Sequence, residues 1–254
     1  MRITLLGTGD AGGVPLHGCG CRACLAAAER GIKRRPACAL LESGGERVLL
    51  DAGLCDLTER FAPGALSAIL LTHFHADHVL GLFHLRWGLG AAIPVYAPPD
   101  AEGCADLYKN PGLLDFHPVV AFHPIVMREA SFTPLPLAHS KPTFGYAIEG
   151  TAGRRFAYLT DTCGLPRQTE DFLMAFQPSV VALDCTHPNE AEGPLNHNRL
   201  ADALRIAGAL KPDKVWLTHL SHRMDAWLLE NGGALPGNVA AARDGQVLQE
   251  RPGL

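Results

Sequence analysis

The chain has 254 residues, 47% hydrophobic and 19% charged, with 22 Lys+Arg against 26 Asp+Glu and a formal net charge of -4. That composition excludes extended disorder, and a chain this long buries enough surface to hold its core without covalent help. Its mild acidity, with no basic run longer than Lys33-Arg34-Arg35, excludes affinity based on the phosphates of long nucleic acids, and no run of ~18 apolar residues is present to span a membrane.

Strand-length apolar runs bounded by Gly, Pro, Asp and Ser fall at 3–6, 38–41, 47–50, 68–71, 93–96, 131–137, 143–148, 156–159, 180–183 and 214–217. Helical patterns fall at 21–30, 77–87, 169–175 and 197–210, with a short one near 226–230. Many strands with interspersed helices predict one layered α/β domain over 1–254, with sheet inside and helices outside. The apolar start at 1–6 is too short for an export signal and reads as a strand, which predicts a cytoplasmic protein. In that reducing compartment the eight cysteines predict thiolate metal binding at 19–24 and core thiols at Cys38, Cys55, Cys104, Cys163 and Cys185.

Polar residues fall in a pattern along these runs. Asp51, His73, His139, Asp161, Asp184 and His219 each follow an apolar run directly or after one residue. Strand ends that open into loops hold side chains rigidly while admitting a substrate. The densest group is Thr72-His73-Phe74-His75-Ala76-Asp77-His78, in a chain with 12 His. If the strand persists, a period of two puts His73 and His75 on one face, and Asp77 and His78 project from the first turn of the following helix. Four such ligands within six positions suit two neighbouring metal ions, and nitrogen with carboxylate donors suits Zn or Mn.

His73-x-His75-x-Asp77-His78, with Asp51 upstream and His139, Asp161 and His219 downstream, resembles the metallo-β-lactamase superfamily. The resemblance implies a four-layer αββα sandwich with a two-metal site at its edge. It implies His73, His75 and His139 on one ion, Asp77, His78 and His219 on the other, and Asp161 bridging both. Asp51 takes the place of an aspartate that orients a ligand imidazole rather than binding metal. His78 after Asp77 departs from the β-lactamases proper, and His75 stands where diiron flavoprotein relatives carry Glu.

Longer stretches at 12–15, 19–24, 78–83, 85–88, 96–99, 111–116, 135–137, 139–141, 143–146, 184–185 and 219–227 resemble the PhnP family, cyclic phosphodiesterases of the carbon–phosphorus lyase pathway. That resemblance implies hydrolysis of a small phosphorylated sugar, 5-phospho-α-D-ribosyl 1,2-cyclic phosphate, to ribose 1,5-bisphosphate in phosphonate catabolism, by a homodimer. It implies His197 as the general acid, with Asp184 orienting an imidazole and His187 either in the site or in a plain loop. Lys141 and Ser140, directly after His139, are the candidate substrate-phosphate contacts, with Arg86 and Arg223 as weaker ones.

The Cys19-x-Cys21-x-x-Cys24 spacing lets three thiolates converge on one soft tetrahedral ion that needs a fourth ligand. His222, three residues after His219, is the candidate, with His17 as a substitute and a reversible Cys21–Cys24 disulfide as the alternative. The resemblance implies a structural Zn on Cys19, Cys21, Cys24 and His222, in an N-terminal loop at about 17–25. Two other readings stand beside the phosphodiesterase: a broader enzyme of the transfer-RNA 3′-processing type, and a non-catalytic zinc protein of the PqqB type with a similar Cys cluster.

Overall fold

Alternation along the strands decides the architecture of the computed structural model, which describes residues 1–193 and 195–248. Leu41, Val48, Leu50 and Leu70 enter one apolar layer with Phe132, Tyr146, Phe156 and Tyr158, while their neighbours Leu40, Leu49 and Ile69 enter another with Leu54, Leu57 and Leu82. Ala157, Leu159, Val181 and Leu183 face a third layer with Leu173, Ile206 and Met224. Side chains one apart point to opposite faces of a strand, so two sheets meet face to face and each carries helices on its outer side. This is the expected four-layer αββα sandwich.

In chain order the first half runs β1 (Arg2–Gly7), α1 (Arg22–Arg30), β2 (Cys38–Ser43), β3 (Glu46–Leu50), α2 (Leu57–Arg60), β4 (Ala68–Leu70), α3 (Ala76–Val79), α4 (Leu82–Leu85), β5 (Ile93–Ala97), α5 (Ala105–Lys109) and β6 (Leu114–Pro118). The second half runs β7 (Ile125–Val126), β8 (Ala130–Pro136), β9 (Phe144–Gly150), β10 (Arg155–Leu159), α6 (Arg167–Phe176), β11 (Val180–Asp184), α7 (Leu200–Leu210), β12 (Lys214–Thr218), α8 (His222–Asn231), β13 (Val239–Ala241) and β14 (Gln246–Leu248). The sheets have seven strands each, ordered β14-β1-β2-β3-β4-β5-β6 and β13-β12-β11-β10-β9-β8-β7. β3 and β4 are parallel in one sheet, and β10, β11 and β12 in the other. Their carboxyl ends carry Asp51, the 71–78 segment, Asp161, Asp184 and His219. Parallel strands open their carboxyl ends in one direction, so residues far apart in sequence share one edge.

Three of the expected helices differ from the pattern. The pattern at 77–87 is two short turns, α3 and α4, because Gly81 N bonds Ala52 O (2.8 Å) and a side chain there would meet Leu54 O at 2.2 Å. The pattern at 197–210 becomes a helix only from Leu200, because the Asn198 N–H is drawn to Asp184 (3.1 Å) and the Leu200 N–H to His187 O (2.9 Å). The short pattern near 226–230 begins earlier, at His222, where Ser221 Oγ accepts from Met224 N (3.2 Å) and caps α8. Strands β6, β7, β13 and β14 lack apolar runs long enough to show in sequence; the partners they pair with define them. Of the five scattered cysteines only Cys38 and Cys185 are buried; Cys104 is half-buried and Cys55 and Cys163 are exposed in loops. Among the described residues no helix is long and apolar enough to cross a membrane.

The loop after β3 lies directly beneath α3: Ala52 N donates to His78 O (2.8 Å), and a Cβ on Gly53 would fall 1.6 Å from Asp77 O. Gly53→Ala must therefore displace backbone that carries two site residues. The expected loss of stability is about 2–4 kcal/mol in denaturant unfolding, well above that of an ordinary surface Gly→Ala.

Candidate metal centre

Three of the residues expected in the site hold the left-handed backbone conformation that L residues avoid: Asp51 (φ 60°), Asp161 (φ 61°) and His219 (φ 56°). Each ends a strand with a sharp reversal, at a cost of about 1–3 kcal/mol that the surrounding bonds must hold in place. Leu220 N bonds Thr8 O (2.9 Å), Asp51 N bonds Leu70 O (2.9 Å) and Asp161 N bonds Asp184 Oδ2 (3.1 Å). The reversals turn these side chains toward one another at the shared sheet edge.

Two groups of donor atoms result. His73, His75 and His139 form one, and Asp77, His78, Asp161 and His219 the other, with the ligand atoms of each group within 4.8 Å of one another. His73 Nε2 and His139 Nε2 lie 2.8 and 3.1 Å from His75 Nδ1. Strand alternation is not what joins His73 and His75, since β4 ends at Leu70; the loop brings the two rings edge to face. Asp161 reaches both groups: its Oδ2 is 3.2 Å from His78 Nε2, and its Oδ1 is 3.3 Å from His219 Nε2 and 3.8 Å from His139 Nε2. The Nε2 atoms of His78 and His219 are buried and make no hydrogen bond among the described residues. Two orphaned lone pairs facing buried carboxylates fit divalent cations, and this donor set could hold two.

The opposite ring nitrogens explain the orientation. His73 Nδ1 meets Thr72 Oγ1 (3.0 Å), His78 Nδ1 meets Asp51 Oδ2 (2.9 Å), His139 Nδ1 meets Asn196 O (3.0 Å) and His219 Nδ1 meets Thr186 Oγ1 (2.9 Å). Each partner accepts a hydrogen bond from the Nδ1–H there, which leaves the Nε2 lone pair for a metal. His75 is reversed: Nδ1 joins the cluster and Nε2 lies 3.5 Å from Ser140 Oγ. Asp51 sits behind these rings, fully buried. The threonines were not anticipated; Thr72 falls in a Leu-Thr pair that the sequence repeats before Asp161 and His219, but Thr186 does not.

Electrostatics agrees with this reading. Burial lowers His73, His75 and His139 and keeps them neutral, the ligand form. Burial opposes charge on His78 too, but Asp161 and Asp51 hold it well above the usual imidazole range. Asp161 and Asp77 likewise raise His219 to about 9 against burial. Asp161 and Asp77 are held below the carboxylate range despite burial, by His219 and His78. Buried carboxylates here demand positive charge, which a divalent ion supplies without a proton.

His197 stands beside the two groups in the loop before α7. Its Nδ1 is 2.8 Å from Asp184 Oδ2 and 3.9 Å from Asp161 Oδ1, and its ring stacks on His219 at 4.6 Å. Asp184 accepts from the Asn198, Asp161 and Thr186 backbone N–H groups, which hold its carboxylate against the His197 ring. His187 is half-buried with its ring 6.1 Å from that of His197, which puts it in the site's surroundings. Lys141 Nζ is 3.5 Å from Asp100 Oδ2. Arg86 is buried against Asp106 and the Asn110 carbonyl and serves the fold, while Arg223 is exposed on α8.

At the start of α8 a second cluster forms. Cys19 and Cys21 Sγ lie 3.4 and 3.5 Å from His222 Nδ1, Cys24 Sγ accepts from Leu16 N (3.3 Å), and all four ligand atoms fall within 4.8 Å. Burial notwithstanding, the bond to His222 lowers the Cys21 thiol to about 6, while burial raises Cys24 to about 11. His17 is exposed and outside the cluster.

A sequence profile of the beta-lactamase superfamily domain matches residues 46–220, more than half of the chain. The chain belongs to the metallo-β-lactamase superfamily. It is similar to a solved structure described as a new diphosphatase from the PhnP family, at 29% identity and TM-score 0.82 over 98% of this chain and 97% of that one. It is 28% identical to an octanoyltransferase of Porphyromonas gingivalis over 96% of this chain but 51% of that protein, so the chain spans about half the length of that relative. It is also 28% identical to a ribonuclease Z of Pyrobaculum arsenaticum over 88% of each. Family, fold and donor set together describe a metallo-β-lactamase-type domain of PhnP-like architecture.

Thr186→Val removes the acceptor behind His219, whereas Thr186→Ser keeps it. Metal retained against a chelator is expected to weaken about 10- to 100-fold in the valine variant and to recover with serine. Equal retention in all three proteins would show that Thr186 does not set the ring. Cys21→Ser is expected to remove one equivalent of bound zinc and lower the unfolding temperature, and unchanged zinc content would reject a metal there.

Proposed function

We propose that this chain is a dimetal phosphodiesterase of the cytoplasm that opens 5-phospho-α-D-ribosyl 1,2-cyclic phosphate to ribose 1,5-bisphosphate and works as a homodimer, with Zn or Mn in the His/Asp site and a structural Zn on the cysteine cluster. The observation that carries this reading is the His197–Asp184 pair set against a complete double ligand set. A metal site alone suffices for many hydrolyses. A non-ligand imidazole oriented by a carboxylate beside it suits a reaction whose leaving group is a poor, alkoxide-like oxygen.

His73, His75 and His139 would hold one ion and Asp77, His78 and His219 the other, with Asp161 shared. Divalent ions in such a pair polarise a phosphoryl oxygen and lower the pKa of an attacking water. The chain's own residues do the rest. Asp184 accepts the Nδ1–H of His197 and keeps the ring in place, and in the imidazolium form of that ring Nε2 carries the proton given to the departing sugar oxygen. Lys141, steadied by Asp100, and Ser140 lie on the loop after His139 and supply a cation and a hydroxyl for the second phosphate of the sugar.

One finding favours a second reading: the PhnP-family neighbour is a diphosphatase, so a phosphoanhydride is the competing substrate class. The full ligand set counts against a zinc protein without chemistry, and the net charge of -4 counts against a long RNA substrate.

The metal-loaded protein should be offered the cyclic sugar phosphate, an activated aryl phosphodiester, a simple diphosphate ester and a precursor transfer RNA. Preference for the cyclic ester is expected, and preference for the diphosphate would replace this substrate with the second reading. His197→Ala should keep its metal and lose about 10²–10⁴-fold in kcat on the cyclic ester. It should lose far less on the aryl ester, whose leaving group needs no proton; equal losses on both would remove His197 from the acid role.

A further inference from the structure

A groove of about 980 Å³ runs between α1, α8 and the edge strand β13, and none of its lining residues belongs to the donor sets described above. Its wall is aliphatic: Ala23 and Ala26 from α1, Ile32 from the following turn, Leu228 and Leu229 from α8, and Val239 from β13. Ile32 and Leu229 are 55% and 50% exposed, although each is large and apolar. Among the described residues no aromatic side chain lines the groove to stack on a nucleobase or a sugar face.

The charge in the groove is opposite to that of the chain. Arg30, Lys33, Arg34, Arg35 and Arg243 line it against Asp225 and Asp244, whereas the whole protein carries -4. Both acids are already engaged, Asp225 by Arg34 Nε (2.6 Å) and Asp244 by Thr8 Oγ1 (2.8 Å) and the Arg35 N–H (2.9 Å). Arg30, Lys33 and Arg243 form no ion pair among the described residues. Arg34 is the built element. Its side chain is only 11% exposed, with Nη1 tied to Thr8 Oγ1 (2.8 Å) and Ala242 O (2.7 Å), while Nη2 makes no hydrogen bond among the described residues. A guanidinium held on two sides is preorganised for a carboxylate or phosphate oxygen.

We infer that this groove binds a single-chain aliphatic anion, its carboxylate or phosphate head on Arg34 and the surrounding cations and its hydrocarbon body along the α1–α8 wall. Cationic and aliphatic surface in one trough matches that chemistry and neither a bare anion nor a neutral hydrocarbon. The claim is independent of the reaction proposed above, since Lys33 and Arg243 lie outside the metal site.

The test uses the metal-loaded full chain, titrated calorimetrically with decanoate, decyl phosphate and inorganic phosphate, with hydrogen exchange to locate the bound probe. Decanoate and decyl phosphate are expected to saturate at one per chain and to protect α1 and α8, and inorganic phosphate to bind there about a hundredfold more weakly. The double variant Lys33→Glu/Arg243→Glu should weaken decanoate about tenfold while hydrolysis by the metal site is unchanged. Ala26→Trp, which fills the trough without altering its charge, should weaken it as well. Three results would overturn the inference: equal affinity of both variants for decanoate, protection confined to the metal site, or sedimentation with phosphatidylglycerol vesicles without saturable binding of free decanoate, which would make the surface a membrane contact.

Discussion

Asp161 is the constraint around which the rest is arranged. Its side chain is buried, sits on a backbone turn that L residues avoid, and lies within 4 Å of ring nitrogens from His73, His78, His139, His197 and His219. A buried carboxylate is costly unless positive charge and donors surround it. Thr160 Oγ1 donates to it (2.7 Å) and its own N–H is tied to Asp184. The same arrangement therefore holds the reversed turn in place and concentrates negative charge where two cations would sit.

The sandwich supplies the geometry for this. The central layer, filled by Phe132, Tyr146, Phe156 and Tyr158, sets the spacing between the sheets and so the distance between ligands from β3–β4 and ligands from β10–β12. Tyr146 also crosses it directly: its hydroxyl donates to Leu71 O (2.8 Å), one strand end from the histidine segment. Core packing and site assembly are thus one problem, since a shift between sheets would part the two halves of the donor set.

The cysteine cluster extends the same logic. His222 begins α8 three residues after His219, and Ser221 between them donates to Thr186 O (2.6 Å) while Thr186 meets the His219 ring. Whatever holds His222 also fixes the end of β12. Asp225 and Arg34 also tie α8 to Thr8, the residue after β1, so the first turn of the helix is held a second time.

By itself the sequence determined the alternation that makes two buried sheets, the ligand types, the 73–78 spacing and the cysteine spacing, because these are local and depend on residue chemistry at short separations. The resemblance carried by the same residues also placed Asp51 behind the ligands rather than among them. Only tertiary structure decided the rest. His73 and His75 meet through a loop rather than a strand, and the threonines behind the rings act across 33 residues in the case of Thr186 and His219. His197 stays outside α7 because Asp184 captures the neighbouring N–H groups. The Thr186–His219 and Asn198–Asp184 contacts are hydrogen bonds between separated segments, and the first forms only when β11 and β12 lie side by side.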